Sequence, residues 1–131
     1  MRQSLLLDTH AYVWAVSAPQ RLSDRAREAV SRPETVLLVS AASAWEMAIK
    51  HRAGRWPEAE VLLRAHDDLL DRLGAQSLAI TAADAVRAGG LDWTHTDPFD
   101  RMLAAQALQS RATLVTRDAA FARLPGLPRL W

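Results

Sequence analysis

Along the chain, short runs of consecutive apolar residues alternate with stretches in which apolar positions recur every three to four residues. The runs "SLLL" (4–7), "TVLLVS" (35–40), "QSLAI" (76–80), "ATLVT" (112–116) and "LPRLW" (127–131) predict five strands. They lack the alternation of a half-exposed sheet, so both faces of these strands should be covered. Helical spacing predicts "AYVWAV" from residue 11, "LSDRAREAV" with Ser23 as its cap, and "SAASAWEMAIKHR" over 40–52. It also predicts one long amphipathic helix over 58–74 that stops at Gly74, and "TAADAVRAGG" capped by Thr81. Pro98, with Asp97 before it as cap, opens a further helix, and "RDAAFARL" (117–124) reads as a short helical turn. Strands alternating with helices, and apolar throughout, predict a three-layer α/β fold: a central, mostly parallel sheet of about five strands flanked by helices. No repeat, linker or low-complexity segment interrupts the pattern, so residues 1–131 read as a single domain.

In such folds ligands bind outside the carboxyl ends of the strands, and four acids fall there. Asp8 ends the first strand, and Asp118 follows the fourth in "LVTRD". Glu46 shares a helical line with Ala42, Trp45, Ile49 and Ala53, which directs it to the packed side. Asp100 likewise heads a stripe of Leu103, Ala104, Ala107 and Leu108. Four carboxylates gathered at one edge repel one another unless protons or cations compensate, and Mg2+ or Mn2+ with oxygen ligands is the natural partner. Each acid also has a local explanation. Glu46 stands four residues before Lys50, Asp100 sits where an acid favours the helix dipole, and Asp8 and Asp118 can each cap a following helix. The joint placement favours a single site. Asp97 is accounted for as a cap and as the i,i+4 partner of Arg101, and Asp24, Asp67, Asp68, Asp71, Asp84 and Asp92 as caps or solvated faces.

Composition narrows the classes. Half the residues are hydrophobic and a quarter charged, as in an ordinary globular domain. The absence of cysteine leaves only oxygen or imidazole to hold a metal. The apolar N-terminal run is too short for a signal-peptide core or a membrane span, so a cytoplasmic protein is expected. Of sixteen basic residues only Lys50 is a lysine, yet the net charge of +1 makes no general electrostatic case for a nucleic-acid partner. A rival chemistry would use His10 and His95 as an acid and base pair, but their spacing does not support it. A haloacid-dehalogenase-type phosphatase needs a second acid two positions after Asp8, where His10 stands. Trp14, Trp45, Trp93 and Trp131 are expected to pack in the core or at its edge, and Trp56, in "GRWP", to be exposed.

The segments "LLLDTHAYVWA", "VSAASAWEMAIK", "HTDPFDRMLAAQA" and "TLVTRDAAF", in this order and over essentially the whole chain, resemble the PIN-domain nucleases, and within them the VapC-type toxins of toxin and antitoxin pairs. The resemblance implies a PIN fold and a Mg2+- or Mn2+-dependent endoribonuclease that hydrolyses RNA. Asp8, Glu46, Asp100 and Asp118 match the family's acidic metal-binding cluster, and Thr116 matches a small hydroxyl residue beside the last acid. Of the neighbouring pair Asp97 and Asp100, the resemblance selects Asp100 as ligand and leaves Asp97 in support. It further implies a homodimer silenced by a VapB-type antitoxin. The alternative is a catalytically inactive PIN-like module that only sequesters its partner.

Overall fold

The computed structural model describes residues 2–131. Five strands, β1 (Ser4–Leu7), β2 (Val36–Ser40), β3 (Ala75–Leu78), β4 (Thr113–Val115) and β5 (Arg129–Leu130), form one sheet in the order β3-β2-β1-β4-β5. Every pairing is parallel, with Leu6 opposite both Leu38 and Leu114 at the centre. Successive strand residues point to opposite faces, and in β1, β2 and β4 both faces are covered, which explains their unbroken apolar runs, whereas the edge strands β3 and β5 expose Gln76, Ser77 and Arg129, contrary to the expectation of full cover. Leu5, Leu7, Leu37, Val39 and Val115 enter one core layer, and Leu6, Leu38 and Leu114 enter the other.

The helices are α1 (Thr9–Ser17), α2 (Asp24–Ser31), α3 (Ala41–Arg52), α4 (Ala59–Arg64), α5 (His66–Leu73), α6 (Ala82–Gly90) and α7 (Pro98–Gln109), with 3-10 turns at Pro19–Arg21 and Ala119–Arg123. Their starts follow local chemistry. The side chains of Asp8, Ser23, Ser40, Thr81 and Asp97 each accept a backbone amide of the first turn, and Thr81 with Asp84 closes a reciprocal capping box.

The single helix expected over 58–74 is two. α4 ends at Arg64, Ala65 leaves helical geometry at φ −104° and ψ 23°, and α5 runs on to Gly74, whose φ of 73° suits a residue without a Cβ. No proline or glycine marks the break. It lies between two packing tasks: α4 lies on α3, and α5 on β3 and α1. On α3 the buried face comprises Ala42, Ser43, Glu46 and Met47, whereas Trp45 and Ile49 are exposed, so the line that placed Glu46 inward is rotated from the true one. Trp45 instead meets Phe99 edge-on at 4.9 Å. Trp56 is buried rather than exposed, because the His10 ring stacks on it at 5.1 Å and the Lys50 ammonium lies 5.7 Å from its centre.

Candidate active site

The parallel sheet delivers all its carboxyl ends to one edge, and the chain reverses its direction of winding between β1 and β4. A cleft of about 350 Å³ opens at that edge, and Asp8, Glu46, Asp100 and Asp118 all line it. Asp97 reaches its rim, while Thr116 is buried behind the wall. The structure thus brings together every acid that the sequence singled out.

The local explanations for these acids hold as well, and the two readings are compatible because a carboxylate has two oxygens. Asp8 accepts the Ala11 amide on Oδ1 at 2.7 Å and caps α1. Asp118 accepts the Ala120 amide on Oδ1 at 2.9 Å and caps the 3-10 turn. Thr116 joins them: its hydroxyl accepts the Asp118 amide at 3.0 Å and hydrogen bonds to the Asp8 carboxyl. Glu46 does pair with Lys50, Nζ to Oε2 at 2.6 Å, but on the cleft wall rather than on the helix surface. Its other oxygen, Oε1, accepts the Thr9 hydroxyl at 2.7 Å, and that hydroxyl lies 2.9 Å from Ser43 Oγ.

Asp100 occupies the third position of α7, and its Oδ2 lies 2.7 Å from Nε2 of His95. His95 is therefore tied to an acid of the cleft, while His10 is stacked on Trp56, and the two imidazoles have separate partners. Burial pushes the Asp100 carboxyl up to about 6, with the His95 contact pulling down and the charges of Asp97 and Glu46 pushing further up. Burial also raises Asp8, opposed by the Thr116 hydroxyl, the Ala11 amide and the charge of His10. Concentrated negative charge is costly here, and a cation would offset it.

The donor set, four carboxylates with no sulfur, suits a hard divalent ion in kind. Among the described residues, however, no three acidic or imidazole groups converge closely enough to hold an ion with the side chains as they stand. Lys50 and Thr9 hold the two oxygens of Glu46, and His95 holds Oδ2 of Asp100.

Two supporting groups escaped the sequence reading. Arg101 does not pair with Asp97. Its guanidinium fans over backbone carbonyls, Nε to Ala88, Nη1 to Trp93 and His95 and Nη2 to Leu91, each at 2.9 Å, with a longer reach of 3.4 Å to Gly89. It neutralises the carbonyl end of α6 and pins the loop that carries His95. Gln106, fully buried within the apolar stripe of α7, meets Ser40 Oγ at 2.5 Å and donates to the Ala79 carbonyl at 3.2 Å. It ties the end of β2, and hence the start of α3, to α7. An arginine beside a cap and a glutamine in an apolar stripe were the only local signals of these roles.

Comparison with known proteins agrees with this architecture. The family model of the PIN domain matches residues 5–127. Ribonuclease VapC22 of Mycobacterium tuberculosis is 32% identical over 116 residues, spanning 88% of this chain and 87% of its own. A chain of VapBC2 from Rickettsia felis, crystallised on a DNA fragment from its promoter, superposes with a TM-score of 0.68 at 17% identity over 98% of both chains. One of VapBC-1 from nontypeable Haemophilus influenzae does so with 0.67 at 21% identity, over 98% of this chain and 97% of its own. With the matched model covering nearly the whole fold and its acids gathered in one cleft, the chain belongs to the PIN domain family.

Proposed function

We propose that this protein is an endoribonuclease that cleaves RNA in its acidic cleft with Mg2+ or Mn2+ and is held silent by a VapB-type antitoxin. The observation that carries the reading is the meeting of Asp8, Glu46, Asp100 and Asp118, from four separate segments, in one cleft at the carboxyl edge of the sheet. These four carboxylates would hold the ion, which when bound supplies positive charge to a phosphodiester and acidifies an attacking water. The chain's own groups set the stage. Thr116 orients Asp8 and fixes the backbone that carries Asp118, and Thr9 orients Glu46. His95 steadies Asp100 through the contact of its Nε2 with Oδ2. Lys50 keeps Glu46 compensated in the resting protein. The kinship to a VapC ribonuclease and the likeness to chains of VapBC complexes support the toxin reading. A homodimer in the cytoplasm is its proposed working form.

Purified protein should cleave RNA with added Mg2+ or Mn2+, stop in chelator and recover on readdition, leaving a 5′ phosphate and a 3′ hydroxyl. Cleavage undiminished in chelator, or a cyclic 2′,3′ phosphate, would contradict the reading and return attention to His10 and His95. Mapping of cellular RNA ends after brief expression reports the target.

The second reading, an inactive module that only sequesters its partner, draws on the Glu46–Lys50 pair and on the lack of three converging ligands among the described residues. Manganese titration separates the two. A protein that neither binds the ion nor cleaves any RNA belongs to the second.

A further inference from the structure

Beside the acidic cleft, and sharing His10, Trp14 and Arg117 with it, runs a second groove whose character is opposite. Its floor is aromatic. Trp14 packs between Trp131 and His10, at 5.9 and 5.6 Å, and the exposed His10 ring lies nearly parallel to Trp56, at 25°. Two guanidinium groups sit over the same Trp14 ring, Arg117 at 4.7 Å and Arg21 at 5.1 Å from its centre. Both arginines are exposed, and among the described residues neither has a carboxylate partner, although Glu58 also lines the groove. Arg27, Arg32 and Arg64, by comparison, pair with acids three or four residues earlier in the chain.

We infer that this groove is a subsite for single-stranded RNA flanking the scissile bond, in which Arg21 and Arg117 take backbone phosphates and His10, backed by Trp56, stacks a base. The inference deepens the nuclease reading and rests on it. A polyanion approaching four carboxylates meets repulsion, and cationic side chains alongside are needed to bring its neighbouring phosphates in. Unpaired arginines held against an indole are preset in direction and need give up no ion pair to bind phosphate. Combined with a stacking surface they form the platform by which single strands are gripped without a fixed sequence. An acidic peptide could use the arginines but has little use for an imidazole stacked on an indole, so RNA is the better match. The groove also gives the strand a direction: it leaves the acids past Arg117, on the loop after β4, and continues toward Arg21 in the 3-10 turn after α1.

The test measures binding of a labelled single-stranded RNA of about ten nucleotides, a length within the usual range for such platforms, to the intact protein in chelator at several KCl concentrations. Arg21→Gln and Arg117→Gln should each weaken binding about three- to tenfold and each lower the slope of log affinity against log salt by roughly 0.7, the value for one lost contact to a single strand. Arg25→Gln, on the exposed face of α2, should change neither more than a generic surface charge does. His10→Ala should weaken binding of the RNA but not of an abasic strand of equal length. In cleavage assays the arginine variants should raise KM with kcat largely kept. Wild-type affinity and salt slope in both arginine variants, with RNA still cleaved by the parent protein, would overturn the groove and leave the nuclease standing. Variants that lose affinity only for an acidic antitoxin peptide would assign the groove to that partner and overturn the inference too. RNA neither bound nor cleaved by the parent would sink the nuclease reading and the groove together.

Discussion

Arg101 is the side chain whose loss should do most damage for its apparent ordinariness. All five N–H groups of its guanidinium point at carbonyls of residues 88–95, four of them at 2.9 Å. A lysine keeps the charge but radiates its three donors from one atom, so it can serve only a cluster of these carbonyls and not a fan spread over Ala88, Leu91, Trp93 and His95. A hydrogen bond to a charged group contributes about 1.5–3 kcal/mol when buried. Because Arg101 is partly exposed and water can reach some of the freed carbonyls, we count two such losses at a discount, or about 2–4 kcal/mol for Arg101→Lys. That is a large part of the ~5–15 kcal/mol that holds a typical domain together. The loop also carries His95, so loosening it releases the contact to Asp100. Urea unfolding of the parent, Arg101→Lys and Arg101→Ala should show the loss, and amide exchange over residues 91–97 should quicken in the lysine variant even where the rest stays folded. RNA cleavage should fall beyond what the unfolded fraction explains. If Arg101→Lys stays within about 0.5 kcal/mol of the parent, the range of an ordinary surface change, and its loop exchanges as slowly, the clasp has been misjudged.

Asp8→Asn and Asp100→Asn should each reduce RNA cleavage on the order of a hundredfold while the fold persists, because a carboxamide is a weaker donor to a hard ion. Asp97→Asn should do far less, since asparagine caps α7 as well as aspartate does, and equal losses at Asp97 and Asp100 would reverse that assignment. In metal-free protein Asp100 binds its proton more tightly folded, at about 6, than at its ordinary value of 3.8, so the folded state holds the extra proton between those values and stability falls as pH rises through them. The full shift corresponds to about 3 kcal/mol, which screening by water at this partly exposed carboxyl reduces to on the order of 2 kcal/mol, and calorimetry of Asp100→Asn should show that part of the pH dependence gone. Lys50→Met removes the cation on Glu46 and should raise manganese affinity severalfold by calorimetric titration. An unchanged affinity would mean that Lys50 does not compete with the ion.

Local chemistry decided much of this protein before any tertiary contact. The central strands were legible because β1, β2 and β4 are covered on both faces, and the helix starts because Ser23, Thr81 and Asp97 answer free amides within their own first turns. The acids of the cleft were legible for a related reason: in a parallel sheet every strand ends at the same edge, so a residue placed just after a strand is placed in space as well. What the sequence could not decide depends on contacts between distant segments. The order β3-β2-β1-β4-β5 is a choice among pairings of similar apolar strands. The break at Ala65 has no local cause, because periodicity runs through it and only the separate packing of α4 and α5 interrupts it. Trp45 and Trp56 exchanged their expected environments, since a helical line shows which residues share a face but not which neighbour covers it. Glu46 shows both sides at once. Its spacing to Lys50 announced the ion pair, and only the approach of α1, bringing Asp8 and Thr9 against α3, made that surface pair a wall of the cleft. For Arg101 the neighbouring Asp97 was the obvious partner in sequence, but the open carbonyls at the end of α6 and in the loop after it offered the guanidinium a better-matched target.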